Sequence, residues 1–560
     1  MRSSEHAEID KTKILSASRE NWLIAGLVLV ALGLRVWAGP YFGLPYLYDV
    51  DESAFIGPAL KIVWNADLNP GWFGHPGSTV IYLNAAAFKI MALIGDHQGL
   101  FHTMREFRYY VLNDPTTLYA LARSLFVAIG TCTAWFLYSL TKTVHGRGAA
   151  LLAGAILAVM PIHVEYSQIV RTDILATMLA VLAAHQAISL MDDHSIKRYI
   201  ASGALIGAAV ATKYPAVLIG TFILTAHILI YSLEWRALWR LGVTGATALL
   251  ALFICSPYLF IDHAAVKRDI SAEAAGGHLS ATGEGFFSNF AWYLLKPLED
   301  TFGWWGMGLA LIGAATLIRH FRAKGTILGV FTLVYLLAIS THPLRWTRWI
   351  IPVLPFIALF AAVGAFTAAT FLAKRFASTP SRLWLGLLSV ALCLPMLLQT
   401  IEQARFRSAP DTRLQAREWL LANVPRNSRM LIEAYGPQIP KNHYLLYNNV
   451  DTRVVRRPQG LLTNVMPSGH LGEGGTLDAL SNAGIEYFVI SGFYERFKAT
   501  PDDEDSARIA ANYEKLMEGA DLMKEFLPAT GRGADPLRAN VEGGPHLRIF
   551  KIRSPKTPPL

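Results

Sequence analysis

Long apolar runs alternate with short polar segments over the first 400 residues of the chain. A helix needs about 20 apolar residues to cross the hydrocarbon core of a bilayer. The runs reach or approach that length, and we therefore expect eleven membrane-spanning helices. They are predicted at residues 22–38, 118–140, 148–162, 174–191, 199–212, 215–233, 238–259, 302–318, 326–340, 349–372 and 383–400.

Basic residues cluster at the N-terminus and then in every second gap between these runs. Cytoplasmic loops of membrane proteins carry an excess of Lys and Arg, so these segments are predicted to be cytoplasmic. The odd number of spans then places everything after Leu398 on the outer side. The basic residues are Lys11, Lys13, Arg19, Lys142, Arg147, Lys197, Arg198, Arg236, Arg240, Arg319, Arg322, Lys324, Lys374, Arg375 and Arg382.

The first outer loop runs from Gly39 to about Thr117 and contains two helix-like pieces, at 53–65 and 78–94. Polar residues within these pieces make them poor spans. We expect both helices to lie along the membrane interface.

The second outer loop runs from Asp262 to about Thr301 and is rich in Gly, Ala and Ser around Gly276-Gly277-His278. Long loops of this composition are often functional. We expect this one to be mobile and to act as a lid.

Composition agrees with a membrane protein, because 53% of the 560 residues are hydrophobic and only 16% are charged. Soluble domains have about 25% charged residues. The formal net charge of +9 fits the orientation of the loops better than binding of nucleic acid. Cys132, Cys255 and Cys393 all lie in apolar runs, and we interpret them as small core residues.

From Glu402 onward the chain has the composition of a soluble protein. Asp411 is predicted to cap a helix that continues to Val424 and is ended by Pro425. Strands are predicted at 430–434, 452–455, 487–491 and 547–552, and helices at 477–483 and 505–517. The fold class is therefore a polytopic α-helical membrane protein with a C-terminal soluble α/β domain. The domains are predicted at 1–400 and 401–560.

The first candidate site is the acidic sequence Asp49-Val50-Asp51-Glu52, about a dozen residues after the first span. A carboxylate just outside the membrane can act as a base or hold a metal without being buried in lipid. The alternative is a solvated acidic patch at a helix start, where the helix dipole favours Asp and Glu. The spacing of Asp49 and Asp51 leaves open whether the two carboxylates bind a divalent cation.

A second cluster lies between two spans on the outer side and contains His163, Glu165, Arg171 and Asp173. Four ionisable groups beside apolar helices are costly unless they are paired or used. The alternative is an ion pair of Arg171 with Asp173 or Glu165 that fixes a helix end.

Cations on the outer side form a third set: Lys213, followed by Tyr214 and a proline, and Arg345 and Arg348. Ammonium and guanidinium groups suit a phosphate, which Arg can bind through two parallel hydrogen bonds. The alternative is contact with anionic lipid headgroups. His75, before Pro76, is a further candidate, and a simple turn is its alternative.

The chain has no internal repeat, Walker loop, G-x-S-x-G motif or Cys/His zinc spacing. These absences argue against an ATP-driven pump, a serine hydrolase and a zinc enzyme.

Taken together, several motifs resemble the GT-C glycosyltransferases and within them the protein O-mannosyltransferase-like branch, family 39, of dolichyl-phosphate-mannose-protein mannosyltransferases. The resemblance covers roughly residues 22–400. Two departures are Gly77-Ser78 where the family commonly has Pro-Leu, and a tail without the β-trefoil-type domain of the eukaryotic enzymes. The motifs are Asp51-Glu52, His75-Pro76, the P-x-H-x-E…R-x-D sequence from Pro161 to Asp173, Thr212-Lys213-Tyr214-Pro215, and the helix from Asp411 to Trp419.

The resemblance implies transfer of a sugar from a polyprenyl-phosphate carrier, with inversion at the anomeric carbon. Asp51 would be the base, Glu52 would orient it or the sugar, and Asp173 would be a donor-binding acid held by Arg171. The outer cations would offset charge on the leaving phosphate. The site residues that this hypothesis assigns to substrate binding are Asp49, His75, His163, Glu165, Arg171, Asp173, Lys213, Tyr214, His278, Arg345 and Arg348.

The resemblance leaves the acceptor open among a glycan, a lipid and a protein hydroxyl, and implies a bacterial inner membrane with the tail in the periplasm. Membrane lipids would be further partners, and no nucleic acid is expected. Beyond a divalent cation the sequence points to no cofactor. One alternative function is a flippase or transporter for a lipid-linked saccharide, which would need ionisable residues at the bilayer midplane. Another is an assembly factor with a protein-binding tail.

The topology is testable with single cysteines placed at Ser408 and Ser195 in a cysteine-free background. An impermeant thiol reagent should label Ser408→Cys and spare Ser195→Cys in intact cells with a permeabilised outer membrane, because the two positions are predicted on opposite sides. Labelling of the second position alone would contradict the predicted orientation.

Overall fold

In the computed structural model the chain divides into two compact units. The first comprises Met1–Pro40 and Val50–Ile401, and the second comprises Tyr41–Asp49 and Glu402–Leu560. The residues that the structure describes are 20–37, 39–47, 49, 51–74, 77–232, 234–274, 283–376, 378–439, 445–448, 470–473, 475–499, 503–529 and 543–553.

The regular elements described in the first unit are helices, and all eleven predicted spans overlap them. The N-terminal half contains α1 (20–36), α2 (Glu52–Asn65), α3 (Ser78–His97), α4 (Met104–Asn113), α5 (Thr116–Val144), α6 (Arg147–Val159), α7 (Pro161–Tyr166), α8 (Thr172–Leu190) and α9 (Ile196–Thr212). A 3-10 turn, Tyr214–Ile219, leads into α10 (Gly220–Tyr231), α11 (Leu238–Cys255), α12 (Tyr258–Ile261), α13 (His263–Ala274), α14 (Phe286–Tyr293), α15 (Glu299–His320), α16 (Arg322–Ser340), α17 (Leu354–Arg375) and α18 (Ser381–Ser408).

Among the described residues, nine helical segments are long and apolar enough to cross a membrane. Eight of them coincide with predicted spans, and the ninth is α3, which we expected at the interface. The other three predicted spans correspond to α1, α6 and α9, each of which has fewer than 18 described residues. In the segment Trp235–Cys255 only 6% of the residues in its apolar 18-residue stretch are buried inside the protein, whereas in Thr347–Arg375 the share is 89%. Such extensive apolar exposure is stable only in lipid, so this is a multi-pass membrane protein with α17 near its centre.

The outer loops differ from the sequence expectation in detail. The first contains the two predicted helices, with α2 starting at Glu52 and α3 continuing to His97, and a third helix, α4. The second outer loop, which we expected to be mobile and to act as a lid, contains α13 and α14. His278 lies outside the described residues, and the predicted lid is therefore untested. The interpretation of the cysteines as core residues is wrong for Cys132, whose side chain is exposed.

The second unit contains a five-stranded mixed sheet in the order β2-β1-β3-β5-β4. Strand β1 is parallel to β2 and β3, and β5 is antiparallel to β3 and β4. Three predicted strands correspond to β1, β3 and β5, whereas β2 and β4 were not predicted, and the predicted strand at 452–455 lies outside the described residues. The strands are β1 (Arg429–Ile432), β2 (Leu445–Asn448), β3 (Tyr487–Ile490), β4 (Ala520–Phe526) and β5 (Leu547–Ile552).

Helix α19 (Thr412–Asn423) packs its Ala416 and Leu420 into the apolar core of this sheet. The predicted cap is confirmed, because the Asp411 side chain accepts a hydrogen bond from the backbone N–H of Arg413 at 2.8 Å. The remaining helices of the unit are Leu477–Asn482, Phe493–Lys498 and Glu504–Glu518.

Two glycines, Gly313 of α15 and Gly364 of α17, let these helices pack in close contact. A Cβ added at Gly313 would lie 1.8 Å from the carbonyl oxygen of Phe360, and one added at Gly364 would lie 1.8 Å from that of Leu309. Small residues at a helix crossing let two membrane helices come into backbone contact.

This crossing gives a test of the membrane core. Gly313→Ala should lower the free energy of unfolding by about 1–3 kcal/mol, because the extra methyl group overpacks the contact. Gly308→Ala on the same helix is the matched control, since a Cβ there meets nothing within 4 Å. Unfolding in detergent should separate the two variants, and equal stabilities would contradict the packing described here.

Candidate active site

Glu52, the first residue of α2, is fully buried in an ion pair with Arg123 of α5. The Arg123 Nε donates to Oε1 and its Nη2 donates to Oε2, both at 2.8 Å. The backbone N–H of Val170 donates to the same carboxylate at 3.1 Å. Arg–carboxylate pairs of this two-bond kind are directional and strong. The prediction that Glu52 orients Asp51 or the sugar stays a prediction; its carboxylate is buried and ties α2 to α5, which does not favour direct contact with a sugar.

Asp51, directly before α2, has a different environment. Its Oδ2 lies 2.5 Å from Nη1 of Arg171 and 3.7 Å from Nη2 of Arg348, and its side chain is 32% exposed. The solvated acid that the sequence suggested is instead an acid held between two guanidinium groups. It is also the member of the Asp51-Glu52 pair that a substrate can reach.

The two arginines come from distant parts of the chain and each lies beside an aromatic ring. Arg171 precedes α8 and lies 5.7 Å from the ring centroid of Tyr166. Arg348 follows α16 in a 3-10 turn and lies 4.6 Å from that of Trp346. Cation–π contacts restrain a guanidinium while leaving its N–H groups able to bind an anion.

Asp173 forms a salt bridge with Lys213, whose Nζ lies 2.5 Å from Oδ1. Both side chains are at least 90% buried. The sequence analysis predicted that Arg171 holds Asp173 and that Lys213 binds the phosphate. In the structure Asp173 and Lys213 pair with each other: the backbone is extended at Lys213, between α9 and the 3-10 turn, and the ammonium group reaches the start of α8.

His163 is fully buried, and its Nδ1 lies 2.7 Å from Nη2 of Arg35 in α1. Arg35 is also fully buried and donates to the carbonyl oxygens of Ala31, Leu157 and Ala158. A buried arginine in a span is tolerated when such acceptors satisfy its donors. Substrate binding by His163 stays a prediction that this burial does not favour, since the ring helps to join α1 to α7.

The remaining predicted residues are dispersed. The Nη2 of Arg345 lies 3.3 Å from Oε1 of Glu284, and the guanidinium carbon of Arg345 lies 5.5 Å from the ring centroid of Trp292. The Tyr214 hydroxyl donates to the carbonyl of Phe73 at 2.9 Å, so it anchors the first outer loop.

Glu165 is partly buried on α7, directly before Tyr166. Asp49 is grouped with the second unit. His75, like His278, lies outside the described residues.

Comparison with known proteins identifies the fold. Residues 118–261, about a quarter of the chain, match the family described as dolichyl-phosphate-mannose-protein mannosyltransferase. ArnT from Cupriavidus metallidurans in the apo state has a TM-score of 0.54 and 13% identity, with 95% of this chain and 98% of ArnT covered. The chain has the GT-C fold of membrane glycosyltransferases.

A second GT-C structure is similar over most of its length. The oligosaccharyltransferase AglB from Archaeoglobus fulgidus, in complex with an inhibitory peptide and a dolichol-phosphate, has a TM-score of 0.53 and 12% identity. The match covers 92% of this chain and 74% of AglB. No curated protein matches the chain. The resemblance to GT-C and mannosyltransferase-like proteins drawn from the motifs is thus confirmed.

Metal ligation at Asp51 is not favoured by its surroundings. Among the residues that the structure describes, no group of three or more His, Cys, Asp or Glu side chains is placed to hold a metal ion. Two guanidinium groups already offset the charge of Asp51. The spacing of Asp49 and Asp51 left open whether a divalent cation binds there, and a cation does not fit beside these two guanidinium groups.

Three residues that position the candidate site were missed from the sequence. Arg35 and Arg123 are charges inside predicted spans, and that position is itself a signal of a buried pair. Asn289 is harder to recognise. Its Nδ2 donates to the carbonyl oxygens of Ser340 and His342, and it therefore holds the loop that leads to Arg345 and Arg348.

The second unit has a buried acid of its own, Glu433, at the carboxyl end of β1. It accepts hydrogen bonds from the backbone N–H groups of Leu471 and Ser491 and from the hydroxyls of Ser491 and Tyr513. Burial raises the pKa of Glu433 to about 7. Both oxygens already accept bonds from the protein, and we assign this carboxyl to structure.

The contrast between Glu52 and Asp51 can be measured as stability. Glu52→Gln should lower the free energy of unfolding by about 3–5 kcal/mol, because it leaves the Arg123 charge buried and uncompensated. Asp51→Asn should cost less, since its side chain is partly exposed. Adding Arg123→Met to Glu52→Gln should recover part of the loss. A stable Glu52→Gln protein would show that the pair is not a structural one.

Proposed function

We propose that this protein is a membrane glycosyltransferase that moves a sugar from a polyprenyl-phosphate carrier to a hydroxyl acceptor outside the cytoplasm, with inversion. The observation that carries the proposal is the partly exposed carboxylate of Asp51 between two guanidinium groups, in a GT-C fold. The dolichol-phosphate in the similar AglB structure supports a lipid-linked donor.

Asp51 is the proposed general base. Its carboxylate takes the proton of the acceptor hydroxyl while that oxygen attacks the anomeric carbon. The bond between the anomeric carbon and the phosphate oxygen breaks on the opposite face, and the polyprenyl phosphate leaves with the bonding electrons. The sugar is already activated by its phosphate, so the reaction needs no nucleotide.

Arg348 and Arg345 are the proposed partners of the departing phosphate. The 3.7 Å separation of Arg348 from Asp51 is longer than a hydrogen bond, so its guanidinium can also bind an anion. The Arg345 side chain is 22% exposed, and its Nη2 lies 3.3 Å from Oε1 of Glu284. Charge that develops on the leaving phosphate is stabilised by fixed cations of this kind.

Lys213 has a revised role in this proposal. Its ammonium group neutralises Asp173, and the pair holds the start of α8, where Arg171 lies. Arg171 in turn holds the base. The Lys213–Asp173 pair therefore acts on the reaction through position rather than by touching the phosphate.

A flippase for a lipid-linked saccharide is the alternative. It would need ionisable groups along a path through the membrane. The buried charges described in the spans, such as Arg35, Arg123 and Asp173, each have partners within the protein. This arrangement favours an enzyme. The proposed setting is the bacterial inner membrane with the second unit in the periplasm, and the acceptor is a glycan, a lipid or a protein.

Asp51→Asn should abolish sugar transfer while the protein remains folded and inserted, because the amide cannot take the proton. Turnover of purified protein with a polyprenyl-phosphate sugar and its acceptor checks this. Asp300→Asn, an exposed acid at the start of α15, is the matched control and should retain activity. Near wild-type turnover in Asp51→Asn would move the base to another residue.

Arg348→Ala and Arg345→Ala should each weaken use of the donor about tenfold to a hundredfold, since hydrogen bonds to a charged group contribute roughly 1.5–3 kcal/mol. Acceptor saturation should change little. Lys267→Ala, an exposed cation on α13, is the control for general attraction to anionic lipid. The check is a donor titration of each variant in one fixed lipid mixture. If all three variants reached saturation at the same donor concentration as the wild type, both arginines would be excluded from binding the donor phosphate.

A further inference from the structure

Part of the second outer loop lies against the loop that carries Arg345. The backbone N–H of Gly283 donates to the carbonyl oxygen of Pro343 at 2.7 Å. The Nδ2 of Asn289 donates to the carbonyl oxygen of His342 at 2.9 Å. Both bonds end on backbone oxygens, so they hold this part of the second outer loop beside Arg345 independently of any charge.

Glu284, in the same part of the loop, is a carboxylate partner of Arg345. Its Oε1 lies 3.3 Å from Nη2 of Arg345, and its Oε2 accepts a hydrogen bond from the Ser288 hydroxyl at 3.0 Å. The Glu284 side chain is 71% exposed. An ion pair with such an exposed partner is weak, because water screens it. A phosphate can therefore displace the carboxylate from Arg345 at little cost in stability.

The carboxylate stays close to Arg345 after such a displacement. Glu284 directly follows Gly283, whose bonding partner Pro343 lies two residues before Arg345. One residue of extended chain spans at most about 3.6 Å. A phosphate bound to Arg345 thus has a negative charge of the protein as its neighbour.

Sugar transfer changes the charge of the carrier phosphate. The donor is a phosphate diester with one ionised oxygen. When the bond to the anomeric carbon breaks, the phosphate oxygen keeps the electron pair and the carrier leaves as a monoester, with a charge of about −1.5 to −2 at pH 7. A fixed carboxylate beside the phosphate therefore repels the product more strongly than the donor.

We propose that Glu284 is a specificity-determining residue that favours release of the sugar-free carrier: its carboxylate competes for Arg345 and repels the phosphate monoester more than the diester. This inference rests on the proposed function, because it takes Arg345 as a partner of the carrier phosphate. Two unit charges roughly 6 Å apart in water change an affinity about threefold. Removing the charge of Glu284 should thus favour the monoester over the diester by about twofold to threefold.

Binding of two probes to the purified protein tests the proposal. One probe is a short-chain polyprenyl phosphate, which is the monoester, and the other is its methyl diester, which carries a single charge and no sugar. At low salt Glu284→Gln should bind the monoester about fivefold to tenfold more tightly and the diester about threefold more tightly. The gain should shrink at about 1 M salt, which screens the charges. An unchanged ratio of the two affinities would overturn the proposal.

Matched variants show whether the effect comes from the charge beside Arg345. Glu284→Asp keeps that charge and should keep the wild-type ratio. Asp300→Asn removes an exposed acid at the start of α15 and should leave the ratio unchanged. Glu284→Gln in an Arg345→Ala background should lose most of its gain, because the phosphate no longer binds beside residue 284. The same shift in Asp300→Asn would show a general effect of surface charge and contradict the specific role.

Turnover links the binding to the reaction. Added polyprenyl phosphate should inhibit Glu284→Gln at about fivefold to tenfold lower concentration than the wild type, because the variant holds the product more tightly. Equal inhibition of the two proteins would contradict a role in release. A wild type that binds both probes without transferring a sugar overturns the proposed function and leaves the affinity ratio to decide the role of Glu284, whereas a wild type that binds neither probe overturns both.

Discussion

Charge pairing inside a largely apolar protein is the constraint on which the rest of this structure depends. An uncompensated ion in such surroundings costs several kcal/mol, so each buried charge must have a partner from another element. Glu52 pairs with Arg123, and Asp173 pairs with Lys213. Arg35 donates to backbone carbonyls and contacts His163. These contacts join helices that are far apart in sequence, and they determine where the ends of α2, α7 and α8 lie.

The candidate site follows from those contacts. With Glu52 fixed in its pair, Asp51 is held at the start of α2 as the more exposed acid of the two. With α8 fixed by Asp173, Arg171 reaches Asp51, and the loop held by Asn289 leads to Arg348. The same carboxylate that two arginines orient is therefore the one that a substrate can reach. This is an arrangement suited to a base beside a phosphate leaving group.

Much of the fold could be predicted from the sequence because spans, basic loops and the Asp411 cap are local signals. The site residues were found only as a set, since their pairing depends on helix contacts that no local pattern encodes. For this reason Asp173 pairs with Lys213 and not with Arg171, and Arg171 pairs with Asp51. Strand β4 was missed because it is an edge strand whose residues are mostly exposed and do not alternate, and α13 was hidden by the Gly-rich sequence after it.

The central claim is that this GT-C chain transfers a sugar with Asp51 as the base. Mass spectrometry of envelope glycans, lipids and proteins from cells with and without the chain tests it most directly, with wild type and Asp51→Asn supplied in return. The account predicts one class of molecule that lacks a sugar without the chain, regains it with wild type and does not regain it with Asp51→Asn. Identical envelopes in all strains, or full restoration by Asp51→Asn, would contradict it.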